Sequence, residues 1–284
     1  MSIRFRGSED LALTADVDGP WGGPAVLLLH GGGQTRHAWR KAASALAAAG
    51  FLAVSVDQRG HGDSDWSPSA DYRIDAYADD VREICRQVGR PVSLIGASLG
   101  GLCSILAAGE EPDIDCAALV LVDVTPRLSV EGRRNVLAFM GAHIGGFESV
   151  DAAAAAVSGY LKHRPKPADA SGLRKNLREG SDGRLYWHWD PSFIGSRRIG
   201  VEDADADRLE RALLGAQVPT LLVRGGISDL VSEEHVEHFR RVVPEAEYVN
   251  VPGAAHMVAG DSNDVFAASV VEFLTRRVGG RRGV

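Results

Sequence analysis

Apolar positions along the chain gather in short runs. "AVLLLH" (Ala25–His30), "LAVSVD" (Leu52–Asp57), "PVSLIG" (Pro91–Gly96), "LVLVDV" (Leu119–Val124), "TLLVRG" (Thr220–Gly225) and "AEYVNV" (Ala246–Val251) read as strands. Most lack polar alternation, which predicts strands buried on both faces. Between them, "RHAWRKAASALAAAG", "RIDAYADDVREICRQVG" and "SEEHVEHFRRVVP" carry apolar residues at helical spacing. Strands alternating with helices predict a mostly parallel, doubly wound α/β sheet, because parallel neighbours need crossover connections. "IRFRG…LALTADV" near the start predicts an antiparallel edge hairpin.

The alternation lapses between residues 128 and 208. That stretch has helical patterning in "DAAAAAVSGYLKH" and "SGLRKNLREG", then the aromatic run "RLYWHWDPSF", and no buried strand. It is expected to be a helical lid inserted between two strands. Residues 1–127 and 209–284 would then form the core, with the lid over the carboxyl edge of the sheet, where open α/β sheets bind ligands.

Composition narrows the partners. The chain has 284 residues and a formal net charge of −7, which argues against a nucleic-acid partner. The Arg276–Arg277 and Arg281–Arg282 pairs lie among glycines at the end and suit a solvated terminus. Cys85, Cys103 and Cys116 fit no metal-ligand spacing and leave an odd count for disulfides. They are expected to be small buried thiols in a reducing compartment. The start "MSIRFRGSEDLAL" lacks the apolar core of a signal peptide, and no apolar run reaches membrane-spanning length. A cytoplasmic protein with no membrane partner is expected.

The chemistry centres on "SLIGASLGGL". Ser98 follows a strand and precedes a helix, with Gly96 and Gly100 two positions to either side. Such a turn strains its central residue, requires small neighbours, and exposes the hydroxyl beside a helix N-terminus. A serine hydroxyl needs a base, and the base needs an orienting acid. His256, in "VPGAAHMVAGD" after the last strand, is the expected base. Two aspartates follow buried strands, Asp123 in "LVLVDVTP" and Asp229 in "LLVRGGISDLV". Asp229 is the expected acid, since its loop leaves the strand next to that of His256; Asp123 is the alternative. For an oxyanion, the Leu99 N–H is one expected donor. The glycine loop "HGGGQTRHAW" supplies the other, Gly32 first and Gly33 second. That loop lacks the ending of a P-loop and the glycine order of a dinucleotide site.

"HGGG", "DQRGHGDSD", "GASLGG" and the Asp229/His256 pair, in this order, resemble the α/β-hydrolase superfamily over nearly the whole chain. The resemblance implies Ser98 as nucleophile, His256 as general base, Asp229 as its orienter, and Gly32 and Leu99 as oxyanion donors. It implies no metal or organic cofactor. Relatives that hydrolyse epoxides or haloalkanes use an aspartate where this chain has Ser98. Serine fits esterases, thioesterases, lactonases, carbon–carbon bond hydrolases and cofactor-free perhydrolases. The glycine loop and "YWHWDP" are similar to those of non-heme peroxidases and of hydrolases of phthalate monoesters.

The insertion holds 12 lysines and arginines against 11 aspartates and glutamates, so it is less acidic than the rest of the chain. Arg164, Arg174, Arg197 or Arg198 is a candidate receiver for a substrate carboxylate. Trp187 and Trp189 share one face of an extended segment and are expected to seal the lid or line an apolar pocket, with His188 a further pocket candidate. The expected activity is hydrolysis of small to medium carboxylic esters, among them monoesters with a free carboxylate. Carbon–carbon cleavage or cofactor-free oxygen chemistry is the alternative, and a non-enzymatic binding protein of the same fold a third.

Overall fold

A computed structural model describes residues 1–110, 114–160, 171–195, 203–256, 258 and 263–279. Among the described residues ten strands are numbered in chain order: β1 (Ser2–Arg6), β2 (Ala12–Asp18), β3 (Ala25–Leu29), β4 (Leu52–Val56), β5 (Val92–Ala97), β6 (Cys116–Val122), β7 (Leu177–Glu179), β8 (Leu185–Trp187), β9 (Thr220–Gly225) and β10 (Glu247–Val251). The helices are α1 (Arg40–Ala48), α2 (Ile74–Val88), α3 (Leu99–Glu110), α4 (Val130–Ala142), α5 (Val150–Tyr160), α6 (Ser192–Gly195), α7 (Asp203–Ala216), α8 (Glu233–Val242) and α9 (Asn263–Arg277).

Eight strands form one sheet in the order β1-β2-β4-β3-β5-β6-β9-β10. β1 and β2 pair antiparallel, β2 runs antiparallel to β4, and the remaining pairs are parallel. The edge hairpin and the doubly wound sheet expected from the sequence are both present. Each central strand sends alternate side chains to opposite faces. Leu27, Leu29, Leu94 and Leu121 join the core under α2, α3 and α7, whereas Val26, Leu28, Ile95 and Val120 join the core under α1 and α9. Both faces are therefore dry, which explains the uninterrupted apolar runs. Cys85 and Cys103 are buried, Cys116 is half-buried, and all three are free thiols. No helix among the described residues is long and apolar enough to cross a membrane.

The order of connections places the site. From β3 the chain moves outward to β4, then returns to β5 on the other side of β3. This reversal is the topological switch point at which ligands bind in such sheets. The glycine loop after β3 and Ser98 after β5 leave from adjacent strands, with Leu29 level with Gly96.

The insertion between β6 and β9 differs from a purely helical lid. β7 and β8 form an antiparallel hairpin within it, and Phe147 bridges to Leu185. Tyr186 and Trp187 suit a strand, but three-residue strands are too short to show a period of two against a helical background. The boundary expected at residue 208 falls inside α7, whose Leu209, Ala212 and Leu213 are buried in the α2/α3-side core.

Candidate active site

Ser98 sits at the β5–α3 turn with φ +47°, the left-handed region that side chains rarely adopt. Its carbonyl accepts the N–H groups of Gly101 (2.9 Å) and Leu102 (3.0 Å), so the helix starts at once. Leu99 opens α3, and its N–H therefore has no acceptor within the helix. The turn closes only on glycine: a Cβ on Gly96 would stand 2.3 Å from the Gly100 carbonyl oxygen, and one on Gly100 only 2.2 Å from that of Leu29. Because both obstacles are backbone, Gly100→Ala is expected to cost about 3 kcal/mol or more. Gly22→Ala, where a Cβ would meet nothing within 4 Å, is expected to stay near neutral. Urea unfolding of the two variants measures the difference.

The carboxylate paired with His256 is Asp123, not Asp229. His256 Nδ1 stands 2.8 Å from Asp123 Oδ2. Asp123 lies one residue past β6 with φ +50° and is wholly buried. Its Oδ1 accepts the Gly225 N–H at 3.0 Å, and its Oδ2 accepts the Ser228 hydroxyl at 2.6 Å. The Ser228 oxygen in turn accepts the N–H groups of Leu230 and Val231. The loop after β9 thus supplies donors to a carboxylate from β6. Asp229, four residues beyond the end of β9, is exposed and lines the cavity instead. Loop order alone favours the aspartate nearer His256, whereas the buried position with donors waiting is the one at the strand end.

The glycine loop separates its three N–H groups. Gly31 donates to Gln34 Oε1 (2.9 Å) and Gly33 donates to His61 Nε2 (3.0 Å). Among the described residues no acceptor takes up the Gly32 N–H. Gly33, expected as a second choice of oxyanion donor, therefore has its N–H engaged. His61 is fully buried in the turn after β4. That turn is pinned by Asp57, which accepts the N–H groups of Arg36 and Asp63 and pairs with the Arg36 guanidinium.

His30, His61 and His188 stand in a row, with ring centroids 5.2 and 5.8 Å apart. Burial is the main force holding each imidazole neutral: it brings His30 down to about 4 and His61 to about 3, and moves His188 well below its usual value. A histidine whose folded pKa is depressed leaves stability unaffected above its unfolded value of 6.5. Below that value the unfolded chain binds the proton first, and stability falls with pH. The expected loss between pH 6.5 and 5 is about 2 kcal/mol per histidine. Urea midpoints across this range check it, and His61→Gln should give a shallower decline.

Ser98, His256, Gly32 and Leu99 open into one cavity of about 690 Å³. Its far wall is aromatic and comes from the insertion. Trp187 and Trp189 stack at 4.9 Å and 14°, and Phe139 stacks on Tyr160 at 4.2 Å and 12°. Trp187 and Trp189 share a face, as the sequence predicted. His188, between them, faces the other way and is not part of the wall: it accepts the Gly62 N–H through Nδ1 at 2.8 Å and reaches the Gly33 carbonyl through Nε2 at 3.2 Å. Arg133, Lys175 and His37 line the cavity together with the carboxylates Asp205 and Asp229. Arg174 pairs with Glu179, while Arg164, Arg197 and Arg198 lie outside the described residues.

A strand–serine–helix turn on a doubly wound sheet, with a histidine–aspartate pair at the same carboxyl edge, is the arrangement found in a class of hydrolases. The alpha/beta hydrolase fold profile matches residues 24–262, and the chain belongs to that family and is a hydrolase. It is 31% identical over 252 residues to the esterase Rv0045c of Mycobacterium tuberculosis, which covers 85% of this chain and 80% of the relative. It is 30% identical over 264 residues to the 2-(acetamidomethylene)succinate hydrolase of Mesorhizobium japonicum, 92% of each chain. The crystal structure of an E-2-(acetamidomethylene)succinate hydrolase superposes with a TM-score of 0.84 at 28% identity, covering 96% of this chain and 98% of the other.

Proposed function

We propose that this chain is a serine hydrolase of small to medium carboxylic esters. The observation that carries the reading is the 2.8 Å contact between His256 Nδ1 and the buried Asp123, with His256 and Ser98 in the wall of one cavity. Asp123 holds the imidazole with its proton on Nδ1, leaving Nε2 to take the proton of Ser98. Ser98 Oγ attacks the ester carbonyl, and the N–H groups of Gly32 and Leu99 receive the developing oxyanion. The imidazolium returns the proton to the leaving alcohol, and water then releases the acid from the acyl-enzyme by the same steps. The insertion acts as a cap whose stacked aromatic side chains hold the apolar part of the substrate. The esterase relative supports the ester class.

A panel of p-nitrophenyl esters and a fluorophosphonate probe test this. Turnover with one label, on Ser98, is expected. A chain that turns over none of the esters and stays unlabelled overturns the reading. The narrower expectation of a free carboxylate on the substrate has support in Arg133 and Lys175 on the cavity wall and in the relative whose named substrate is a succinate. Lys175→Met is expected to raise KM about tenfold for a hemisuccinate ester and leave a neutral ester unchanged. Equal effects on both esters would count against a carboxylate subsite at Lys175.

A further inference from the structure

We infer that His61 and His188, one from the turn after β4 and one from the insertion, clamp Gly33 between them and thereby aim the Gly32 N–H into the cavity. Both are positioning residues, and their role rests on the Ser98 mechanism proposed above. Gly33 is held on both of its peptide planes. Its N–H donates to His61 Nε2 at 3.0 Å, and its carbonyl accepts from His188 Nε2 at 3.2 Å.

The tautomers these bonds need are fixed by the opposite ring nitrogens. His61 Nδ1 donates to the Arg59 carbonyl at 2.9 Å, which leaves Nε2 as an acceptor. His188 Nδ1 accepts the Gly62 N–H at 2.8 Å, which puts its proton on Nε2. The preceding side of the loop is fixed independently: Gly31 O accepts from His30 Nδ1 (2.8 Å) and from the Gln34 N–H (3.1 Å). Gly32 is thus suspended between two anchored neighbours. Gly33 also has φ +75°, and a Cβ there would stand 2.9 Å from Met140 Cε and 3.3 Å from Trp189.

Burial supports the scheme by keeping both rings neutral. A protonated His61 would turn an N–H toward the Gly33 N–H. The clamp also joins the substrate wall to the reacting centre. His188 lies between Trp187 and Trp189, so a shift of this segment against its substrate moves the donor on the Gly33 carbonyl with it.

The two side-chain amides separate positioning from bulk. In His188→Asn the amide oxygen replaces Nδ1 toward Gly62, but nothing reaches the Gly33 carbonyl. In His188→Gln the amide extends to the Nε2 position. His61→Asn keeps a donor for Arg59 O and loses the acceptor for Gly33, which His61→Gln restores. The Asn variants are expected to lose about 10- to 100-fold in kcat with KM nearly unchanged, and a similar factor in affinity for an alkyl boronic acid that forms a tetrahedral adduct with Ser98. Amide exchange of residues 31–35 should quicken in the Asn variants and return toward wild type in the Gln variants.

Wild-type kcat, boronate affinity and exchange in both Asn variants would overturn the clamp. So would Gln variants as impaired as the Asn variants with an equal fall in thermal midpoint, the mark of a structural role alone. The exchange measurement does not depend on Ser98. An unlabelled Ser98 in the wild type therefore sinks the hydrolase mechanism, while unchanged exchange sinks the clamp.

Discussion

Asp123→Asn is expected to lower kcat for ester hydrolysis by about 10⁴-fold with KM little changed, whereas Asp229→Asn is expected to stay within about threefold of wild type. The reasoning follows the bonds around Asp123. The Gly225 N–H needs an acceptor at Oδ1, so the amide oxygen of the new Asn settles there. Its NH₂ then faces the Ser228 hydroxyl and His256 Nδ1, where Oδ2 stood before. Nδ1 must now accept, the imidazole proton moves to Nε2, and the ring can no longer take a proton from Ser98. The fold tolerates the change because the side-chain shape is kept. Steady-state kinetics on the two variants decide the matter: a large loss in Asp229→Asn with Asp123→Asn near wild type would reverse the assignment of the acid.

Ser98→Ala is expected to produce the largest loss, about 10⁶-fold in kcat, and to abolish fluorophosphonate labelling. What remains should still exceed the rate in water by about 10³- to 10⁴-fold, because the proposed oxyanion donors Gly32 and Leu99 and the cavity are untouched. The variant should fold normally, since alanine meets the same φ of +47° as serine and, among the described residues, no hydrogen bond of the native fold depends on the hydroxyl. Its affinity for a product acid, read by calorimetry, should match wild type. Unchanged turnover in a stably folded Ser98→Ala variant would place the nucleophile elsewhere.

Much of the architecture was legible in the pattern of apolar residues. Runs such as "AVLLL" in β3 and "LVLV" in β6 have no polar face to turn outward, and they lie in the middle of the sheet. The Ser98 turn was legible because its geometry leaves few options: Gly96 and Gly100 are where backbone meets backbone. The acid was not. Asp123 and Asp229 both follow buried strands, and choosing between them requires knowing which carboxylate finds donors when it is buried. Ser228 was the available signal, a hydroxyl beside the more obvious aspartate, but its target is 105 residues away. His61 and His188 were missed for the same reason, since their partners lie in other loops and neither shows a local pattern.

The sequence by itself determined the doubly wound sheet, the Ser98 turn, the glycine loop and the shared face of Trp187 and Trp189. These depend on neighbours a few residues apart, through burial of alternate side chains and through the backbone space that glycine leaves. Only the tertiary structure decided that Asp123 pairs with His256, that among the described residues Gly32 rather than Gly33 keeps a free N–H, and that His188 turns away from the cavity toward the glycine loop. Each of these is a competition among polar groups for hydrogen-bond partners inside a dry region, and its winner depends on which strands lie side by side.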